Sequence, residues 1–423
     1  MADRLNKSVD LAQLRPATIY YGWIVLGASV LMVTITVGAL FSLSVFLEPL
    51  QAEFGWSRSS LSFAALLNWI VFAPASLVWG MLTDRVGIRV VAAGGGALAG
   101  LGCVLTGQAH SLTQLYLAFG IVGGLGMGAF YAPLSSTATR WFTAHRGLAV
   151  GLISAGNGLG ILVVAPLARW LINAYGWRTA FATIGILTWA IVLPLAFLLR
   201  TSPREKGLLP YGDLPDPRPL APDPSASARV RLWHSPVFWS MGVTHFLCCI
   251  AHSGPIFHMV AAAIDQGIPK LAAAGVLGLS GGASAIGRIG SGVLADRFGA
   301  RRTLIACLAV QALTIVLYAG ASTLAAFNLL AVAFGIGYGA VMPLYAVVAR
   351  ERFSEKVIGT AYGGIFMISA VGMGLGSQLG GWIFDWTGHY LGLYLASAAL
   401  GALAIPLAIS FPATRRPLAR TAT

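Results

Sequence analysis

The sequence predicts an all-α membrane protein in which twelve transmembrane helices form two pseudo-symmetric six-helix bundles, and three observations carry that prediction. Only 10% of the 423 residues are charged while 57% are hydrophobic, against roughly 25% charged in soluble domains. So few charges cannot solvate a surface of this size. The mean hydropathy of +0.79 is concentrated in twelve apolar runs, each close to the ~20 residues a helix needs to cross a hydrocarbon core. Landmarks of the first half also return in the second at a constant displacement of 212 residues. The 52 glycines agree, because small residues let membrane helices approach closely where hydrophobic burial no longer drives association.

In order, the runs lie near residues 20–46, 60–82, 90–108, 113–139, 148–173, 178–199, 236–261, 271–294, 303–320, 324–349, 358–384 and 389–411. The chain is polar through Arg15 and the first run is too long for a cleaved signal peptide, so it is expected to remain as a helix. One long polar break, Arg200 to Leu232, holds seven prolines and six Lys or Arg, the composition of a surface linker. The expected organisation is an N-terminal bundle over 1–199, a cytoplasmic linker over 200–232 and a C-terminal bundle over 233–423.

Twenty-seven Lys and Arg against fourteen Asp and Glu give a net charge of +13, which in a soluble chain would raise nucleic acid as a partner. Here 22 of those 27 cations flank one side of the predicted membrane, the side of both termini and the linker. The opposite loops carry Arg58, Arg178 and Lys270, with Arg169 near the end of the fifth run. The positive-inside rule therefore puts both termini in the cytoplasm of a multi-pass protein of the cell membrane, and no nucleic-acid partner is expected. Cys103, Cys248, Cys249 and Cys307 lie in apolar runs without metal-ligand or disulfide spacing. No metal, cofactor or obligatory protein partner is expected.

The repeat is explicit between GMLTDRVGIR (Gly80 to Arg89) and GVLADRFGAR (Gly292 to Arg301), and the same displacement carries Gly55 onto Gly267, Gly147 onto Gly359, Gly160 onto Gly372 and Gly176 onto Gly388. A parallel repeat of this kind is the architecture in which two halves rock about a site near the bilayer midplane. The repeated loop resembles the signature of the major facilitator superfamily. That resemblance covers the whole chain and implies that Asp84 and Asp296, with the loop arginines Arg85, Arg89, Arg146, Arg297 and Arg301, latch the inward gate. A narrower stretch, RWFTAHRGLAVGLISAGNGLG (Arg140 to Gly160), resembles the second signature of monocarboxylate transporters and the matching stretch of oxalate:formate exchangers. The first monocarboxylate signature survives only as Tyr21-Gly22-Trp23, a truncation similar to that of bacterial, lactate-transporting members.

Within the membrane, every Asp and Glu falls in a loop, terminus or helix end, and one cation, Arg288, lies well inside a helix. An embedded charge costs roughly 2.5–3.5 kcal/mol even on the mild insertion scale, so it marks a functional site by default. Its repeat partner is Ser76, whereas a shared scaffold role would place a cation in both halves. The competing reading is a snorkelling arginine reaching Asp296, about 12 Å along the helix. Ser280, Ser284 and Arg288 are spaced four apart and form one polar stripe, as a cavity wall would. A guanidinium there can grip one carboxylate bidentately. The resemblance adds that oxalate exchangers carry a second cation where this chain has Ser369. It adds too that animal monocarboxylate transporters use an aspartate and a lysine where Ser284 and approximately Phe41 stand. One cation favours a monocarboxylate.

With no buried carboxylate, a coupled proton would sit on the seventh run, where His245 and His252 share a face and His258 lies near the outer end, or follow the anion bound at Arg288. Other polar positions expected at the cavity are Tyr131, Asn157, Tyr338, Tyr345 and Ser369, each equally suited to interhelical hydrogen bonding. The expected function is secondary transport of a small monocarboxylate of the lactate and pyruvate class, with a proton, by alternating access. A carboxylate exchanger of the oxalate:formate type is the alternative. Multidrug efflux lacks its embedded carboxylate. No enzyme is expected, since no metal cluster or nucleophile and base pattern occurs.

Overall fold

The computed structural model describes residues 20–212, 232–353 and 357–411. Among them eleven helices are long and apolar enough to cross a membrane. They are α1 (Tyr21–Phe54), α2 (Arg58–Val86), α3 (Ile88–Gly107), α4 (Leu112–Trp141), the 53-residue stretch Arg146–Leu198, α7 (Pro236–Asp265), α8 (Lys270–Phe298), α9 (Ala300–Tyr318), α10 (Leu324–Arg352), α11 (Ile358–Thr387) and α12 (Leu391–Ser410). Fifty-three helical residues would span about 80 Å, far more than a bilayer. Gly176, at φ 81° and ψ 163°, breaks the stretch into α5 (146–175) and α6 (177–198), so the chain crosses twelve times.

The repeat is visible in the backbone. Gly55 and Gly267, Gly87 and Gly299, and Gly176 and Gly388 all sit at positive φ, between 67° and 88°, a region open to glycine at little cost. It recurs in the side chains as well. Arg89 donates to Phe197 O at the end of α6 (3.2 Å) and its counterpart Arg301 to Ile409 O at the end of α12, each placing a cation on the carbonyls that close a helix. The helices thus form two six-helix bundles, α1–α6 and α7–α12, as expected.

The bundles meet where α5 crosses α8 and α2 crosses α11. Glycines bring the backbones close at the first crossing: a Cβ on Gly158 would stand 2.4 Å from Gly281 O, and one on Gly281 2.7 Å from Gly158 O. At the second, Asp385 of α11 caps α2 by accepting from the amides of Arg58 (3.0 Å) and Ser59 (2.9 Å), satisfying donors that a helix start leaves free. Within α4, π-helical turns over Tyr116–Gly123 leave Phe119 O to be met by Asn68 Nδ2 of α2 at 2.7 Å.

At the end bearing the arginine-rich loops, called here the basic face, the two signature stretches pack together. Trp23 lies edge-on to Phe142 at 4.8 Å and Tyr21 lies 5.8 Å from Trp141. The start of the expected linker is docked there, with Tyr211 N donating to Trp141 O (2.8 Å) and Tyr20 Oη to Leu209 O (2.9 Å). The rest of that linker, 213–231, and the terminal segments 1–19 and 412–423 lie outside the described residues.

Candidate functional site

A cavity of about 100 Å³ lies between the bundles, walled by α1, α2, α4 and α5 on one side and α7, α8, α10 and α11 on the other. It has room for several waters or one small organic molecule. Among the described residues Arg288 is the only charged one in its wall. The guanidinium Nη1 donates to Ser154 Oγ across the interface (2.9 Å) and meets Met342 Sδ at 3.6 Å, while its buried Nε has no partner. Five N–H donors are thus served by one hydroxyl and a weak thioether acceptor. Among the described residues no carboxylate pairs with it, so a half-buried cation within the membrane span stands without a counter-anion.

Six of the other residues expected here, Tyr131, Asn157, Tyr338, Ser369, His245 and His252, line the same cavity. Ser284 does not. It lies fully buried behind the wall, its Oγ donating to Gly281 O (2.8 Å) and its backbone pressed against Gly339. Helical spacing placed it on the correct face, but the close approach of α10 covers it. Ser369 Oγ is committed to Phe366 O (2.7 Å). Asn157 Oδ1 is buried without a partner.

The two histidines differ. His252 Nδ1 lies 2.7 Å from Cys248 O. A carbonyl only accepts, so Nδ1 carries the hydrogen and the neutral ring keeps Nε2 as an acceptor. Its ring stacks on Tyr338 at 5.5 Å and 19°. His245 stacks on Tyr345 at 4.1 Å, with Nδ1 unpaired.

His258 belongs elsewhere, to a lock on the face opposite the basic one. Arg58 of α2 forms a two-pronged pair with Asp265 of α7 (2.6 and 2.9 Å) and donates to Tyr390 Oη (2.7 Å). His258 Nε2 donates to Ser377 O (2.9 Å), so Nδ1 accepts from the Tyr390 hydroxyl (2.9 Å). Nearby, Glu48 holds both Arg169 (2.9 Å) of its own bundle and Lys270 (2.7 Å) of the other. The sequence presents Arg58 and Lys270 as loop cations and Arg169 as a helix-end one. In the structure Arg58 and Arg169 are 8% and 2% exposed and ion-paired, which makes them parts of a seal. One signal was available: Arg169 stands seven residues inside α5, where an arginine needs a partner.

On the basic face, Asp84 pairs with Arg140, a residue outside the expected latch set, within the first bundle. Arg146 Nε donates to Phe142 O (3.0 Å) and Arg297 lies over Phe298. Among the described residues no ion pair engages Asp296 or Arg85, and none joins the two bundles on this face.

Compared with known proteins, residues 29–297 and 283–423 match the Major Facilitator Superfamily. The chain is 30% identical over 381 residues to Monocarboxylate transporter 13 of Rattus norvegicus, covering 90% of this chain and 86% of that one. It is 31% identical over 394 residues to Monocarboxylate transporter 11 of Mus musculus (90% and 85%), and 25% identical over 411 residues to Monocarboxylate transporter 2 of Homo sapiens (90% and 83%). A bacterial homologue of the human lysosomal transporter Spinster, crystallised inward-facing and occupied, superposes with a TM-score of 0.71 at 17% identity, over 93% of this chain and 97% of that one. That last likeness is one of fold.

Proposed function

From the premise that this chain belongs to the monocarboxylate transporters of the major facilitator superfamily, and is therefore a solute transporter, we propose that it carries a small monocarboxylate together with a proton by alternating access. The observation that carries this reading is Arg288, which among the described residues has no carboxylate partner and is the one charge in the cavity wall. An arriving carboxylate takes the fork of donors that Ser154 and Met342 leave underused. A second carboxylate on the same ligand would meet no second cation, so lactate- and pyruvate-sized monocarboxylates fit better than dicarboxylates. His252 is the proton site, because its free Nε2 lone pair belongs to a ring lining the same cavity. Once the anion neutralises Arg288, protonating this ring no longer opposes a bare charge.

Ion pairs bridge the bundles on the far face and none among the described residues does so on the basic face, which supports a state open toward the termini. The cation distribution supports cytoplasmic termini, and with them an inward-facing molecule. The gate residues Asp84 and Arg140 would then exchange partners across the bundles as the far-face lock opens.

The test is uptake of radiolabelled L-lactate by proteoliposomes under an inward proton gradient with no internal anion. Saturable accumulation that collapses with a protonophore is the expected result. Arg288→Ala should abolish it, and Arg288→Lys should restore no more than about a tenth, because an ammonium lacks the planar fork. Uptake only after preloading with another carboxylate would replace the symporter by an exchanger.

A further inference from the structure

The cavity wall is chemically divided between the bundles. Its cation, both histidines, Tyr338 and Ser369 come from the second bundle, whereas the first contributes Phe41, Trp69, Phe72, Phe130 and Tyr131, with Asn157 its one amide. The rings form a connected sheet. Phe41 meets Trp69 at 6.3 Å, Trp69 meets Phe72 at 5.2 Å, Phe72 meets Phe366 of the second bundle at 6.2 Å, and Phe366 stacks on Tyr131 at 6.0 Å.

The internal repeat shows that this division is not inherited from the fold. At the common displacement of 212 residues, Phe41 corresponds to Ser253, Trp69 to Gly281, Phe72 to Ser284 and Ser76 to Arg288. Three ring positions of the first half are small in the second, and the cation position of the second is a serine in the first. Gly281 and Ser284 are small because α5 and α10 press against them, whereas Trp69 and Phe72 border the cavity. What lies between the halves is therefore met by a charge from one side and by apolar rings from the other.

We propose that the aromatic wall is a tail subsite, so that the protein selects monocarboxylates bearing a branched aliphatic or aryl tail over acetate and lactate. The proposal rests on the carboxylate reading of Arg288 and narrows it. With the carboxylate on the guanidinium, the substituents beyond C2 face Trp69 and Phe72. A methylene moved from water onto these rings tightens binding about fourfold. A C2 hydroxyl gains nothing from them. The one polar group on that side, the buried and unpaired Asn157 Oδ1, supplies the contrary prediction, since a hydroxyl donated to it would favour lactate.

Binding is the readout, because protonated apolar acids cross bilayers unaided and would blur uptake. Thermal stabilisation of the purified full-length protein is titrated with acetate, L-lactate, 3-methylbutanoate and phenylacetate. Dissociation constants for the two tailed acids at least about tenfold below that of acetate, with lactate within about threefold of acetate, are expected from the methylene increment. Trp69→Leu and, independently, Phe72→Leu should shrink the ratio of 3-methylbutanoate to acetate affinity. Acetate or lactate binding as tightly as the tailed acids overturns the tail subsite and leaves the carboxylate reading standing. Stabilisation by none of the four overturns both.

Discussion

In the proposed cycle, Arg288 and His252 divide between them what a proton-coupled carboxylate site must do. The arginine is always charged and offers donors, so it fixes the anion. The histidine offers one acceptor lone pair at Nε2, so it can take a proton without leaving its hydrogen bond to Cys248 O. Protonation on the side of lower pH loads the carrier, so uptake should rise as external pH falls. His252→Gln keeps polarity and approximate volume but cannot be protonated. In that variant lactate uptake should lose most of its dependence on external pH, where the parent protein shows a clear rise as the pH falls. A variant that keeps the parent's pH profile would move the proton to His245 or to the substrate.

At the scale of helices, closure of the far face rests on two glycine-lined crossings, Gly158 against Gly281 and Gly381 against Ser59, and, among the described residues, on the bundle-bridging ion pairs Arg58–Asp265 and Glu48–Lys270. Removing one member of a buried pair leaves the other charge uncompensated, a cost of about 3–5 kcal/mol, and here the cost falls only on the closed state. Asp265 is a third exposed, so the lower end applies. The cavity carries its own reporter in Cys249, which lines it while being 5% exposed. Asp265→Asn should therefore speed labelling of Cys249 by an impermeant maleimide, added from the far face, by roughly tenfold or more. Cys249→Ser assigns the signal, and unchanged labelling would mean that the glycine crossings alone hold the seal. This lock is also where the sequence was least legible. Glu48, Arg58, Arg169, Asp265, Lys270 and Tyr390 come from six separate stretches, each resembling an interfacial anchor. No periodicity reveals that they meet. Helix ends suffered similarly: α1 runs to Phe54 rather than about 46 because Glu48 and Glu53 find Arg169 and Arg178, and so continues beyond its apolar run. The fold and the central cation were legible for the opposite reason, since hydropathy and a lone embedded arginine are properties of single segments. Ser284 shows the limit, as spacing gives a face but not the depth at which a neighbouring helix covers it.

For the molecule as a whole, the decisive quantity is the charge that moves with each half of the transport cycle. The empty cavity carries one positive charge, from Arg288. Binding a monocarboxylate brings it to zero, and protonating His252 returns it to one positive charge. The loaded and the empty carrier then cross with equal charge, and a complete cycle moves none. An anion carried without a proton would instead pair a neutral loaded step with a charged empty return. Each elementary charge moved through 100 mV is worth about 2.3 kcal/mol, so the two schemes differ by a large factor in accumulation. A potassium diffusion potential of either sign, imposed on proteoliposomes with valinomycin at equal internal and external pH, should leave the lactate gradient unchanged at steady state. A proton gradient of the same energy should set it. Accumulation that follows the potential would show that the carboxylate moves without its proton. It would remove His252 from the cycle and leave Arg288 as the only charge that the site presents.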